Sequence, residues 1–363
     1  MTSPPPGGPP QRPARLTPVR RSTMKDIARQ AGVSESAVSF ALNGRPGVSE
    51  ATRERVRRVA EELGWQASTA ARSLSGEGTA TVGLVLARPA RALGMESFFL
   101  QLVAGIQQVL AQRQLGLLFQ VVEDLPAECA TYRRWWAEHR VDGVLLVDPR
   151  TEDPRLDLLD SLAMPTVVIG GRPGHQGSAP TVAHLWVDDS AAMALVVDYL
   201  YRLGHRRIAH VAGLPELAHT QRRIHSLRTE ADRLGLPGAH SLTTDYSEAE
   251  GAAATRRLLD GPQPPTAIVY DSDVLAAAGA AVATERSLTV GRGLSVVAWE
   301  DSVLCRMAQP PLTALARDAV ALGRTAAEQL TGLLDTGTPG LVQFEAPRLI
   351  VRESTSAAPP PGG

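Results

Sequence analysis

Apolar positions recur at helical spacing over the first part of the chain and in short solid blocks after it. Ile27, Ala28 and Ala31 form one stripe, and Thr23 with Asp26 three residues on predicts the capped start of a helix there. Gly32 marks a sharp turn. Ser34 caps a second helix, expected to turn Val38 and Leu42 inward at i, i+4, and Asn43-Gly44 ends it. Ser49 caps a third, with Val56, Val59, Ala60 and Leu63 on one face. From Thr81 the pattern changes. Blocks at Thr81–Ala87, Leu115–Val122, Val141–Asp148 and Thr166–Gly171 read as buried strands. Amphipathic stretches at Phe98–Arg113, Ala127–His139 and Pro154–Leu162 read as helices between them. A second series follows Trp186-Val187-Asp188-Asp189: a helix to about Leu203, then strands Ile208–Ala212, Ser241–Thr244, Ala267–Asp271 and Leu294–Trp299. Helices Gln221–Leu234, Glu248–Leu259 and Val274–Arg286 alternate with them.

Two helices joined by a tight Gly-containing turn predict a helix-turn-helix, whose second helix enters the major groove of DNA. A plain three-helix packing unit has the same pattern. Alternating strands and helices predict right-handed βαβ units and parallel sheets. Two such series predict two lobes with a ligand cleft beyond the carboxyl ends of the strands. The residues to examine there are Tyr270-Asp271-Ser272-Asp273, Trp299-Glu300-Asp301-Ser302, Arg172 after Ile169-Gly170-Gly171, and Arg222-Arg223. Carboxylates and guanidinium groups can hydrogen-bond adjacent hydroxyls, and an aromatic face can stack on a sugar ring. Solvated loop charges and salt bridges that close the lobes are the plainer reading of the same residues.

The runs K-D-I-A-R-Q-A-G-V-S-E-S-A-V-S-F-A-L-N-G (25–44), V-S-E-A-T-R-E-R-V (48–56) and A-A-R-S-L (70–74) resemble the DNA-binding end of the lac-repressor-like (LacI/GalR) regulators. The resemblance continues through G-H-R-R-I (204–208) and P-P-L-T (310–313), which in the family precedes a crossover between lobes, to Arg352. It implies a small all-α helix-turn-helix head followed by an α/β two-lobed, periplasmic-binding-protein-like domain with parallel sheets. It implies base- and phosphate-facing roles for Ser34, Glu35, Ser36, Ser39 and Phe40, with Asn43 and Arg72 counted with them. It also implies a hinge helix over Ser68–Ser73 with Leu74 as a minor-groove wedge. Arg223 falls on the family's effector-binding arginine, Asp273 on the aspartate of its N-D pair, and Glu300 on the first acid of its G-F-D-D; Arg172 joins them as an effector candidate. There are departures: Phe40 stands where the family often has Arg, Ser226 for Gly, Ser272 for Asn, Trp299 for Phe and Glu300 for Asp. They imply a reshaped pocket.

Charge sharpens this division. Residues 1–75 hold 12 of the 37 Lys/Arg and 6 of the 38 Asp/Glu, so a head of +6 precedes a body of −7. A basic head suits a segment that meets phosphates. Lys25 is the only lysine. Cys129 and Cys305 have no metal spacing and imply a reducing compartment. No apolar run is long enough for a membrane span, and the Pro/Gly/Arg-rich start has no signal-peptide core, so a cytoplasmic protein is expected.

The expected domains are a disordered tail over 1–22, the head over 23–66, hinge and linker over 67–78, the two-lobed effector-binding and dimerisation domain over 79–353, and a disordered tail over 354–363. A solute-binding protein of a sugar transport system shares the two-lobed fold but predicts a signal peptide and no helix-turn-helix. An enzyme is disfavoured, because no His lies in a nucleophile elbow, a metal-spaced pair or a phosphate loop. No cofactor or metal is expected. The expected partners are a near-palindromic double-stranded operator bound by a homodimer, and a sugar or polyol effector. A seven-residue hinge is too short to be helical alone, so its folding would link the two sites.

Overall fold

The computed structural model describes residues 22–65, 78–88, 97–171 and 180–359. The chain forms two compact units, Met1–Ser75 and Gly76–Gly363. The hinge over 67–77, with Arg72 and Leu74, lies outside the described residues, as does Arg172.

The first unit holds helices α1 (Met24–Ala31), α2 (Glu35–Leu42) and α3 (Glu50–Glu62). Their ends follow from local chemistry. The Asp26 carboxylate accepts the Thr23 backbone N–H at 3.0 Å. Ser34 and Ser49 Oγ accept the N–H groups of Ala37 and Thr52, satisfying donors that the first turn leaves free. Gly32 ends α1 with φ +66°, a left-handed conformation that glycine adopts at little cost. Ile27, Val38 and Val56 are fully buried at the centre. The inward stripe of α2 is Val38 and Ala41, whereas the expected Leu42 is half-buried. A spacing of i, i+3 serves the helical period as well as i, i+4.

The second unit has two six-stranded sheets. The first runs in the order β2-β1-β3-β4-β5-β11, from β1 (Thr81–Ala87), β2 (Gly116–Val122), β3 (Gly143–Leu146), β4 (Thr166–Ile169), β5 (Val182–Trp186) and β11 (Leu341–Gln343). All its neighbours are parallel. Helices α4 (Ser97–Gln112), α5 (Leu125–Ala137), α6 (Pro154–Ser161) and α12 (Ala319–Thr336) cover it.

The second sheet runs in the order β7-β6-β8-β9-β10-β12. Its strands are β6 (Ile208–Ala212), β7 (His240–Thr243), β8 (Ala267–Tyr270), β9 (Ser295–Ala298), β10 (Thr313–Ala316) and β12 (Arg348–Ile350). Its helices are α7 (Asp189–Arg202), α8 (Ala218–Leu234), α9 (Glu248–Leu259), α10 (Asp273–Glu285) and α11 (Val303–Met307). Only β12 runs antiparallel, against β10.

The lobes are not two consecutive stretches of chain, as the strand series suggested. After β10 the chain returns to the first lobe. There Leu322, Ala326, Ala327, Leu330 and Leu333 of α12 join the core that holds Leu102 and Ile106 of α4. The contact needs glycine on both sides. A Cβ on Gly105 would meet the Val320 carbonyl oxygen, and one on Gly323 the Leu102 carbonyl oxygen, at 1.9 and 2.1 Å. Strand β11 then pairs in the first sheet and β12 in the second, so three connections cross between the lobes.

Ser354 and the residues just after it, expected as part of a disordered tail, are held by the second lobe. Ser354 is fully buried and donates to the Val296 carbonyl at 2.6 Å. His205 reaches the Ser356 carbonyl, and the Ala358 N–H reaches the Leu203 carbonyl. The G-H-R-R turn thus anchors the last described residues through their backbone, which no side-chain pattern announces.

Candidate functional site

Helix α2 presents one open face. Ser34, Glu35, Ser36, Phe40 and Asn43 are exposed, and Ser39 is half-buried. The spacing 35/39/43 and 36/40 puts them together, away from Val38 and Ala41. Ser34 and Ser36 hydroxyls lie 2.9 Å apart, and Asn43 Nδ2 donates to Ser39 Oγ at 3.4 Å. The Phe40 ring is 37% exposed and rests by one edge on the turn at Gly47, where an added Cβ would lie 3.1 Å from it. It is anchored, with its remaining edge open. An α-helix of this polarity fits the major groove.

The second unit contains a cavity between the lobes. Its floor is made by side chains at the carboxyl ends of strands and the first turns of helices. Asp189 opens α7 directly after the Asp188 cap, and Asp273 opens α10 after the Ser272 cap. Acidic groups there are favoured by the helix dipole. Asp148 follows β3, Asp271 follows β8, and Trp299 and Glu300 follow β9. Asp148 and Tyr246 hold left-handed backbone angles, φ +50° and +67°. For a bulky Tyr this is an uncommon conformation, of the kind held where the surroundings fix a site. The Tyr246 ring lies against Gly213, where an added Cβ would clash at 1.9 Å.

Arg223 is the hub. It donates to Asp189 Oδ1 through Nε and Nη2 at 3.1 and 3.0 Å, and its Nη1 lies 3.0 Å from Asp271 Oδ1. Its guanidinium lies 4.1 Å from the Trp299 ring centroid. Asp271 also receives His210 Nε2 at 2.9 Å and the Gly213 N–H at 2.9 Å. Arg222 donates to Asp189 Oδ2 at 2.6 Å and, from the other lobe, to the Gly170 carbonyl at 2.7 Å. Arg88 pairs with Asp148 at 2.7 Å and lies over the Phe99 and Tyr246 rings. Arg317 pairs with Glu300 at 2.9 Å and covers Phe98. Two backbone bonds also join the lobes, Thr151 N–H to the Glu216 carbonyl and Ala218 N–H to the Pro149 carbonyl.

These pairs set the protonation states. Burial, the largest single effect, would raise the carboxyl pKa values of Asp271 and Asp189, but Arg223 together with the neighbouring cations and hydrogen-bond donors outweighs it and holds both below the ordinary range. Asp148 is held down in the same way by Arg88. Burial, followed by the charge of Arg223, pushes the His219 imidazole down to about 4, so it is neutral at pH 7. Its Nε2 lies 3.1 Å from the Tyr246 hydroxyl.

Arg223, Asp273 and Glu300, picked out separately in the sequence, therefore line one cavity. Trp299 lines it too but is 4% exposed and packed in the core, with Arg223 over one face, so it is not the open stacking platform expected. Arg88, Asp148, Asp189, His219, Tyr246 and Arg317 were missed. Asp148 closes the predicted strand Val141–Asp148, which is the signal that could have found it, and Asp189 stands at the start of the predicted helix, after strand β5, which was not predicted. Arg317 and Tyr246 have no such signal, because their position depends on the return crossing and on a left-handed turn. Among the described residues no cluster of His, Cys, Asp and Glu could hold a metal.

A helix-turn-helix unit and a two-lobed binding unit in one chain define a ligand-binding DNA regulator by architecture. Residues 23–68 match the family described as bacterial regulatory proteins, lacI family, and residues 197–355 match a periplasmic binding protein-like domain. The transcriptional regulator CelR of Thermobifida fusca is 32% identical over 344 residues, covering 92% of this chain and 98% of the relative. The structure of a CelR–cellobiose complex superposes with a TM-score of 0.69 at 29% identity, over 92% of this chain and all of that one. A lac repressor dimer bound to operator and the anti-inducer ONPF superposes with a TM-score of 0.78 at 25% identity, over 93% of this chain and all of that one. The chain belongs to the LacI family of DNA-binding transcription regulators.

Proposed function

We propose that this protein is a dimeric repressor that reads a near-palindromic operator and answers to a hydroxyl-rich, sugar-like effector in the interlobe cleft. One observation carries the reading: a single chain joins an open polar helix face to a cavity lined by buried charged groups. Ser36, Phe40 and their neighbours on α2 read base edges, and Arg72 and Leu74 act at the hinge. Arg223, Asp273 and Glu300, together with Asp189 and Asp271, form the effector site, which Arg172 completes. Relatives point the same way, since CelR is known in complex with cellobiose and the lac repressor as a dimer on its operator.

The dimer is supported by Val303, Leu304 and Met307 of α11, which are 58%, 46% and 75% exposed on one short helix. Clustered exposed apolar side chains favour a protein contact. Among the described residues no helix is long and apolar enough to cross a membrane, and the protein acts in the cytoplasm, where its DNA is. No residue set for turnover is needed, so the cleft senses and does not catalyse.

The test is enrichment of random oligonucleotides on the purified protein, followed by release with a panel of sugars. A palindrome with two half-sites and one releasing sugar are expected. Failure to enrich any palindrome would sink the operator reading.

A further inference from the structure

Among the described residues, which do not include Arg172, the charges around the cleft do not balance. Arg88 is paired with Asp148, and Arg317 with Glu300. Arg223 bridges Asp189 and Asp271, and Arg222 also binds Asp189. Four guanidinium groups thus meet four carboxylates, and neutral His219 adds no cation. The fifth carboxylate is Asp273. It lines the cavity and is 4% exposed. Its Oδ1 accepts the Val274 N–H at 2.9 Å, and among the described residues no cationic side chain pairs with it. Ser97 Oγ lines the same cavity, buried and without a hydrogen-bond partner among the described residues.

Native proteins rarely leave buried polar groups unsatisfied, and an unpaired buried charge is costlier still. The dipole of α10 offsets part of that cost. A donor carrying positive charge would complete the pairing. An anion finds the opposite situation. The Arg223 guanidinium is committed to two buried carboxylates and to the Trp299 face, so an anionic group would have to displace Asp189 or Asp271 and sit near Asp273.

We infer that the cleft selects a hydroxyl-rich ligand bearing a protonated amine, with Asp273 as its counter-charge and Asp271 denying Arg223 to anions. This rests on the reading of the cleft as the effector site.

The experiment is calorimetric titration of the full-length protein at pH 7 with matched sugars. Glucose, glucosamine and glucuronate form one set, galactose, galactosamine and galacturonate a second, and cellobiose with its diamino analogue a third. In a set that binds, the amine should bind at least about tenfold tighter than the neutral sugar, and the uronate weakest. Asp273→Asn should bring the amine-to-neutral ratio close to one, with a thermal melt of the variant reporting a folded protein independently of binding. Asp273→Ser, as a second variant, should give the same loss of preference, and Asp271→Asn should improve uronate binding. A uronate that binds best, or an amine preference unchanged in Asp273→Asn, overturns the inference alone. If neutral and amine forms bind equally, the charge selection falls and the sugar site stands. If no sugar of any charge binds, both readings fall.

Discussion

The open face of α2 and the interlobe cleft both carry polar side chains, but they are held in opposite states. On α2 Ser34, Ser36, Glu35 and Asn43 face solvent, Ser39 is half-buried, and their hydrogen bonds are all local to the helix. In the cleft every described guanidinium is already bound to a carboxylate, and the pairs are buried or half-buried. A surface that reads many DNA sequences keeps its donors and acceptors free and exchanges water for base edges. A site that recognises one small molecule fixes its groups in advance, so that little ordering remains to be done on binding. The two should differ in response to salt, mutation and acid.

Salt should give the largest difference. A head of +6 that contacts several phosphates releases counterions on binding. Operator affinity should fall by about 10³–10⁵-fold between 50 and 200 mM salt. Effector affinity should change less than about threefold, because buried pairs are poorly screened. Filter binding for DNA and calorimetry for the effector, on one preparation, measure both. Equal slopes would mean that the cleft charges are open to solvent.

Removing the hub comes next. Arg223→Ala leaves Asp189 and Asp271 buried without their main cation, and should lower the stability of the large unit by roughly 3–5 kcal/mol in denaturant unfolding. Effector binding should be lost with it. A change below about 1 kcal/mol would show that water replaces the guanidinium freely. Acid probes the same network. The folded-state pKa of His219, about 4, lies below its ordinary value near 6.5, so the unfolded chain takes up the proton first. Its contribution is complete above about pH 6.5 and is lost as pH falls toward 4. The lowered carboxyl groups of Asp148, Asp189 and Asp271 act further down, their contribution fading as pH falls below the ordinary range near 3.9. Melting temperature should therefore decline through both windows, and His219→Gln should reduce the decline in the upper one, to which the buried His184 and His205 also contribute, and leave the lower one unchanged.

The two regions also differ in how far the sequence exposes them. The head is local. Caps, a turn glycine and a stripe of small apolar residues lie within some forty residues, so Thr23, Ser34 and Ser49 could be assigned from spacing alone. Strands β1 and β6 and helix α9 were legible to the residue for the same reason, each being a solid apolar block or an amphipathic run between clear breaks. The cleft is non-local. Arg223 and Asp189 stand 34 residues apart, and Arg88 and Asp148 60. Their pairing follows from the order of the strands, which periodicity does not encode. The return of α12 to the first lobe leaves no mark in periodicity, because its apolar face looks alike whichever sheet it covers, and only the family resemblance of P-P-L-T at 310–313 points to a crossover there. The burial of Ser354 rests on hydrogen bonds to backbone carbonyls, which leave no hydropathy signature.

The smallest effects should separate residues within the head. Ser36→Ala and Phe40→Ala remove exposed groups, so stability should move by less than about 0.5 kcal/mol. Base discrimination should drop by about 1–3 kcal/mol at one position of each half-site. Arg57 of α3 is exposed and lies outside the α2 face. If it meets DNA at all, it meets a phosphate, which carries no base information. Arg57→Ala should weaken all sequences alike by no more than about 1 kcal/mol and lower the salt slope by about one ion. Competition between the preferred operator and single-base variants measures discrimination independently of overall affinity. If Arg57→Ala changes the ranking of bases while Ser36→Ala and Phe40→Ala do not, the reading surface is on α3 rather than α2. If all three leave the ranking intact, specificity comes from groups outside the described helices, and the hinge around Leu74 becomes the place to look.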